Sequence, residues 1–274
     1  MPPLDELEKW EALLSEWIAA LRDRVLTINQ ELLSQIYTFI DKFDFNLNLG
    51  QNLNILLEVQ TALPVMIQSV GYRALVGELV KKIAESLTKL EDYFAKVFDN
   101  YSEKGTPITS AYRVALEQVR RSLLGEGLQQ SYVSDIVKTL QYHVYSKSQK
   151  SVFREALKKV LGESGQPLRY VTTYSSDTLY QFSRAYTEEM TKALDTKYYY
   201  YMGTKIKPTR SFCNDRVGKA YRKSEVQGWA KLEWSGKIPG TTAQSIVMYV
   251  GGYNCRHRLL PISKEMYEQM RGKE

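Results

Sequence analysis

The sequence predicts an α+β protein, with a predominantly helical N-terminal region followed by a small mixed α/β C-terminal module. Three observations carry this expectation. Apolar residues recur at three- and four-residue steps over most of the first 165 positions, the period of an amphipathic helix. From Tyr198 to Ile262 the texture changes, with glycines at 203, 218, 228, 236, 240, 251 and 252 and prolines at 208, 239 and 261 breaking up short apolar runs. Such punctuation suits a compact, turn-rich unit. Both cysteines, Cys213 and Cys255, and one of the two histidines, His257, fall inside that stretch. The expected division is a helical region over residues 1–165, suited to protein–protein contact, and a C-terminal domain over 166–274.

A helix or helix pair is expected over about residues 5–42, with Asp5 as its cap and Glu8 at the capping-box position. Its stripe runs through Leu7, Trp10, Leu14, Trp17, Ile18, Leu21, Val25, Ile28, Leu32 and Ile36. Residues 43–54 alternate Phe43, Phe45, Leu47 and Leu49 with Asp44, Asn46 and Asn48, which predicts a short strand or an extended loop. Helix resumes over 54–70, kinked or bounded by Pro64, and again over 72–100 after Gly71. Residues 102–109 read as a linker. Helices then follow over 110–124, 130–142 and 151–161, the last closed by Gly162, Gly165 and Pro167. The basic run Lys147, Lys150, Arg154, Lys158 and Lys159 reads as a polar helix face, with phosphate contact as the sharper alternative. His143 is expected to be structural. Residues 168–196 predict an extended start and a long helix capped at Ser176 or Asp177. Tyr198–Tyr201 is a candidate strand. The segment 223–234 reads as a helix that faces Val226 and Trp229 inward, and 246–250 as a short strand or helix.

Charge is uneven. Residues 1–100 hold nine Lys/Arg against fifteen Asp/Glu, whereas 201–274 hold fourteen against six. A basic C-terminal end suits a polyanionic or acidic partner. Arg210, Arg216, Lys219, Arg222, Lys223, Arg256 and Arg258 are the candidate nucleic-acid-binding residues, making salt-sensitive contacts that ignore sequence. Two cysteines cannot build a disulfide scaffold. The opening MPPLDELEKW is acidic and lacks the apolar core of a signal peptide. No 18 uninterrupted apolar residues occur, so no membrane span is expected.

Cys213, Asp215, Cys255 and His257 form a candidate metal-ligand set, because zinc accepts sulfur, nitrogen and oxygen donors in tetrahedral geometry. The spacing is tight, since each pair has a single intervening residue. Two other readings stand beside it. The cysteines can be small buried hydrophobes, with Arg210 and Arg256 bonded to turn carbonyls, or they can form a disulfide, which a reducing cytosol opposes. No cofactor is the expectation and structural zinc the alternative. Catalytic residues are expected to be none. Cys255 and His257 would point to opposite faces of a strand, no paired general acid and base stands out, and no phosphate-cradling glycine loop is present. The enzyme alternative is a small nuclease that places His257, Arg210 and Arg256 around a phosphate.

Thr209-Arg210-Ser211-Phe212-Cys213, then Gly218-Lys219 with Tyr221, and finally Gly251-Gly252-Tyr253-Asn254-Cys255-Arg256-His257 occur in that order. Before them, Arg169-Tyr170-Val171-Thr172-Thr173-Tyr174 matches loosely a Thr/Ser-rich helix start. In these features residues 168–262 resemble the C-terminal domain of the phage Mu F-like minor head protein family, also called the SPP1-type phage head morphogenesis family. The resemblance implies a minor capsid protein of a tailed phage, placed at the portal vertex or capsid interior and in host cytoplasm during assembly. It implies portal and/or major capsid protein as partners, several copies per particle, possible contact with phage DNA being packaged or ejected, and no membrane partner. The alternative is a basic nucleic-acid-binding protein.

Overall fold

The computed structural model describes residues 2–44, 49–125, 132–162, 165–207 and 209–272. The helical N-terminal region and the small α/β C-terminal module are both present. The chain forms two compact units: Met1–Trp17 with Lys81–Leu116 and Ser175–Glu274, and Ile18–Val80 with Glu117–Tyr174. Both are discontinuous in sequence. The C-terminal module therefore shares its unit with two N-terminal segments, and compactness does not follow the division expected at residue 165.

Helix α1 spans Pro2–Ile40. Proline fits its first turn because those N–H groups have no helical acceptor. Buried Leu4, Leu7, Glu11, Leu14, Ile18, Leu21, Val25, Ile28 and Leu32 alternate steps of three and four, a 3.5-residue repeat that keeps one seam inward. Trp10 flanks that seam and donates its indole N–H to Ser86 Oγ at 3.1 Å. Of the short strand or extended loop expected over 43–54, no strand is found among its described residues. Residues 45–48 lie outside the described residues, and Leu49 already begins helix α2, Leu49–Ile67. Asn52 is buried there. It accepts from the Asp44 N–H at 3.1 Å and donates to the Asp44 carbonyl at 2.9 Å, and this exchange stands in for strand pairing. Pro64 lies inside α2 without ending it. The break comes later, at Val70 and Gly71, in the π-helical turn Gln68–Tyr72, where Gly71 takes φ +102°. Helix α3 follows over Arg73–Val97. Within Leu49–Val97 an 18-residue window reaches a mean hydropathy of 1.3 with a third of it buried. By length and composition it is apolar enough to cross a membrane, although no uninterrupted apolar run reaches that length.

The expected linker at 102–109 is instead the short helix α4, Tyr101–Lys104, and the start of α5, Thr106–Leu124. Helices α6, Ser134–Tyr145, and α7, Lys150–Val160, pack together. The basic run on α7 is a polar face, as expected. Arg154 pairs with Asp41, and Lys150 Nζ donates to the Asp41 carbonyl at 2.8 Å. Helix α8 runs unbroken over Gln166–Ala193, so the extended start and the cap at 176–177 are corrected. Thr172, helix-averse by type, bonds back to the Leu168 carbonyl at 2.8 Å, which lets it sit mid-helix.

The second unit, 18–80 with 117–174, is tied by buried polar groups. Tyr132 donates to Asn29 Oδ1 at 3.0 Å, Asn29 Nδ2 donates to the Leu161 carbonyl at 2.7 Å, and Tyr72 donates to the Leu123 carbonyl at 3.1 Å. His143 is buried in this unit. It stacks on Phe153 at 5.1 Å and its Nδ1 lies 2.8 Å from Ser148 Oγ.

The first unit centres on strand β1, Tyr198–Met202, paired antiparallel with β2, Ala220–Arg222, and with β3, Arg258–Ile262. The sheet order is β2-β1-β3. Strand alternation separates two cores. Tyr200 and Met202 join Leu4, Leu7, Leu90, Phe94, Tyr186 and Leu260. Tyr199 and Tyr201 join Phe212, Cys213, Val226, Trp229, Ile246 and Cys255. Short elements surround the second core: helix α9 over Ser211–Asn214, α10 over Lys223–Gly228, a 3-10 turn over Trp229–Lys231 and α11 over Ile246–Tyr249. Helix α12, Lys264–Arg271, closes the chain and is capped by Ser263, whose Oγ accepts from the Met266 N–H at 3.3 Å.

At the Met202 end of β3, Arg258 is buried at 3% exposure against Glu11 at 4%. Its guanidinium pairs with the Glu11 carboxylate and donates to Ser183 Oγ. Glu11 thus fills a seam position of α1 with a charge that a single partner neutralises. Removing one member leaves the other charged and dry, which is strongly destabilising. Glu11→Ala is expected to lower unfolding free energy by about 3–5 kcal/mol in denaturant titration; an unchanged midpoint would count against the pairing.

Burial lowers the pKa of His143 from 6.5 in the folded chain. Below that value the unfolded chain binds the extra proton, so the folded state loses ground as pH falls. Stability is expected to be flat in this respect above pH 6.5 and to decline beneath it. In His143→Phe that decline is expected to be shallower when unfolding is titrated across the same range.

Candidate functional site

The site grows from β1. Tyr201 points to the module face, buried, and donates its hydroxyl to Cys213 Sγ at 3.3 Å. After the strand, Gly203 takes φ +146°, and a Cβ there would lie 2.6 Å from Cδ2 of His257. Only glycine lets the chain pass the ring so closely. Thr209 then folds the loop, its Oγ1 accepting from the Ile206 N–H at 2.8 Å. Arg210, extended at φ −63° and ψ 149°, starts α9, and Cys213 sits within that single turn.

The second arm arrives after α11. Val250 has φ +44°, and Gly251 then packs directly on the two sulfurs. A Cβ at Gly251 would fall 2.4 Å from Cys213 Sγ and 2.8 Å from Cys255 Sγ. Two arginines and a tryptophan hold this arm in place. Arg210 donates to the carbonyls of Gly251 at 3.4 Å and Tyr253 at 2.7 Å, and Trp234 Nε1 donates to the Gly251 carbonyl at 3.0 Å. From α8, buried Arg184 donates Nε–H to the His257 carbonyl at 3.0 Å and a terminal N–H to the Cys255 carbonyl.

The result is a buried cluster of Cys213, Cys255 and His257, whose ligand-type atoms lie within 4.8 Å of one another. The sulfurs are 4.0 Å apart, and Cys255 Sγ is 3.5 Å from His257 Nδ1 and 3.4 Å from the His257 backbone N–H. Both cysteines are free thiols. The Cys213 hydrogen bond favours the Cys255 thiolate, and this, with His257 and Arg184, outweighs burial and draws its pKa well below the usual thiol value. Cys213 is driven the other way, first by bonding to Cys255 and then by burial.

Two expectations about these residues are corrected. Cys255 and His257 do not face apart, because β3 starts only at Arg258. Asn254 has φ +54°, and the turn it makes curls Cys255 back under His257. Asp215 does not join the cluster. It is exposed at the end of α9, where its N–H donates to the Ser211 carbonyl at 3.0 Å. His257 Nε2 is buried with no hydrogen-bond partner among the described residues.

The seven basic residues divide. Arg258 is removed from any nucleic-acid surface, being buried against Glu11. Arg210 is spent on loop carbonyls. Arg216 lies over the Phe212 ring at 3.9 Å and donates to the Phe212 carbonyl at 2.8 Å. Arg222 donates Nε–H to the Tyr267 hydroxyl at 3.2 Å. Lys219 is exposed and Lys223 half-buried. Arg256 is half-buried and lines a cavity of about 440 Å³ beside the cluster, with Thr204, Thr209, Ser235 and Asn254. Arg256, expected to bond turn carbonyls, is thus replaced in that role by Arg184. Sequence reading missed Arg184, Tyr201 and Gly251. The signal for Arg184 was available: Ser183, Arg184, Thr187 and Thr191 repeat at helical spacing, and all are buried.

Gly251→Ala is expected to force the two sulfurs apart and to lower stability by about 1–3 kcal/mol, the usual effect of overpacking. Faster reaction of Cys213 and Cys255 with a thiol reagent would report the opening, and unchanged thiol protection would refute the close contact. No family model, curated protein or solved structure matches the chain.

Proposed function

We propose that the chain is a non-enzymatic minor capsid protein of a tailed phage, of the Mu F-like head morphogenesis type. It acts with the portal and/or major capsid protein during head assembly, in the host cytoplasm and then at the portal vertex or capsid interior. The observation that supports this reading is the convergence of the two motif elements that carry the resemblance. Thr209–Cys213 and Gly251–His257 are separated by 42 residues at their cysteines, yet they meet in one buried cluster bound by Arg210. Residues that serve as a common structural centre give a physical reason for a motif pair in fixed order.

On this reading DNA contact rests on Lys219, Lys223 and Arg256, for which no side-chain hydrogen bond or ion pair is found among the described residues. Lys219→Ala is then expected to flatten the slope of log affinity against log salt by about 0.9 per lost phosphate contact on duplex DNA. A Lys219→Ala slope equal to that of the unaltered chain would remove this residue from the interface. The main reading is tested by expression with portal and major capsid protein, followed by mass spectrometry of purified particles and assembly intermediates. Recovery with either one is expected. Absence from both rejects the reading, and DNA cleavage lost in His257→Ala would replace it with a nuclease.

A further inference from the structure

The cluster has the dimensions of a metal site. Tetrahedral zinc takes Zn–S bonds of about 2.3 Å and Zn–N bonds of about 2.0–2.1 Å, which places two sulfurs about 3.8 Å apart and sulfur and nitrogen about 3.6 Å apart. The observed edges are 4.0 Å for Cys213 Sγ to Cys255 Sγ and 3.5 Å for Cys255 Sγ to His257 Nδ1. Nδ1 is the ring atom in position, because the Cδ2 edge packs on Gly203. The remaining edge, from Cys213 Sγ to the His257 ring, is within 4.8 Å.

The surroundings are those of a ligand set. The Tyr201 hydroxyl bonds the Cys213 sulfur, which orients a thiolate and moderates its charge. Arg184 fixes the backbone at both Cys255 and His257. Gly251 leaves no side chain where the sulfurs converge. All three side chains line the 440 Å³ cavity with Thr204, Thr209 and Asn254, and no fourth Cys, His, Asp or Glu joins them among the described residues.

We infer that Cys213 Sγ, Cys255 Sγ and His257 Nδ1 bind one zinc ion, whose fourth coordination position opens into this cavity and is filled from solvent. The thiols bind as thiolates, and their protons pass to solvent as the metal enters. Three protein ligands with one exchangeable position distinguish this centre from a closed structural site. The inference does not rest on the assembly role.

The test uses the full chain, purified without metal-affinity resin. Elemental analysis is expected to find about one zinc per chain, removed by a strong chelator and restored by added Zn(II). Cobalt in its place is expected to give a thiolate charge-transfer band and tetrahedral ligand-field bands, and the latter shift when azide is added. Cys213→Ser and Cys255→Ser are expected to abolish stoichiometric zinc. Tyr201→Phe keeps all three ligands and is expected to weaken zinc binding about 10–100-fold. The wild-type cobalt spectrum decides the matter even where a cysteine variant fails to fold. Folded wild-type chain with reduced thiols that takes up neither metal overturns the inference. So does a Cys213–Cys255 disulfide in the purified chain, or cobalt bound without a thiolate band. Ligand-field bands unmoved by azide overturn the open position.

Discussion

A five-residue strand buried on both faces holds the first unit together. Because successive side chains of a strand point to opposite sides, Tyr198–Met202 cannot serve one core without serving two. Tyr200 and Met202 pack with residues of α1, α3 and α8, while Tyr199 and Tyr201 pack with the short elements of the C-terminal module. Tyrosine suits this position because its ring fills the core and its hydroxyl remains available as a donor. Tyr201 spends that donor on Cys213, and Tyr200 spends its own on Glu8. The same alternation along β3 sends Arg258 and Leu260 towards the helices and Leu259 towards the module.

Placement of the cluster follows from that sheet. The His257 turn joins β3, the Cys213 turn lies between β1 and β2, and β1 is the neighbour of both. Two sequence-distant turns are thereby brought to one end of the sheet. Three features then fix the spacing. Gly203 and Gly251 remove the side chains that would block it, and buried Arg184 ties down two carbonyls of the second arm. The chemistry is local, but its geometry is inherited from the pairing register.

A good part of this was legible in the residues. Alternating three- and four-residue steps marked α1, α3 and the helices after them. The aromatic run marked β1, and the Gly/Pro density marked the module. Cys213, Cys255 and His257 were named as a group from residue type. The errors came where local pattern and tertiary context disagree. The Asn-rich alternation at 43–54 suggested a short strand or an extended loop, but α2 already begins at Leu49 and Asn52 satisfies the Asp44 backbone. Thr172 and its neighbours suggested an extended segment, but a back-bond to Leu168 keeps the helix intact. The polar start of the module read as charge for a nucleic acid, yet Arg258, Arg210, Arg216 and Arg222 are engaged within the fold.

The sequence by itself determined the helical character of most of the first 165 residues, the strand at Tyr198–Met202 and which side chains carry reactive chemistry, because these depend on periodicity and residue type along a few neighbouring positions. Only the tertiary structure decided that Asp215 stands apart from the cluster, that Cys255 and His257 face each other, and that Arg258 belongs to Glu11. Those outcomes depend on a single positive φ at Asn254 and on contacts between residues tens to hundreds of positions apart, and nothing in the local pattern encodes either.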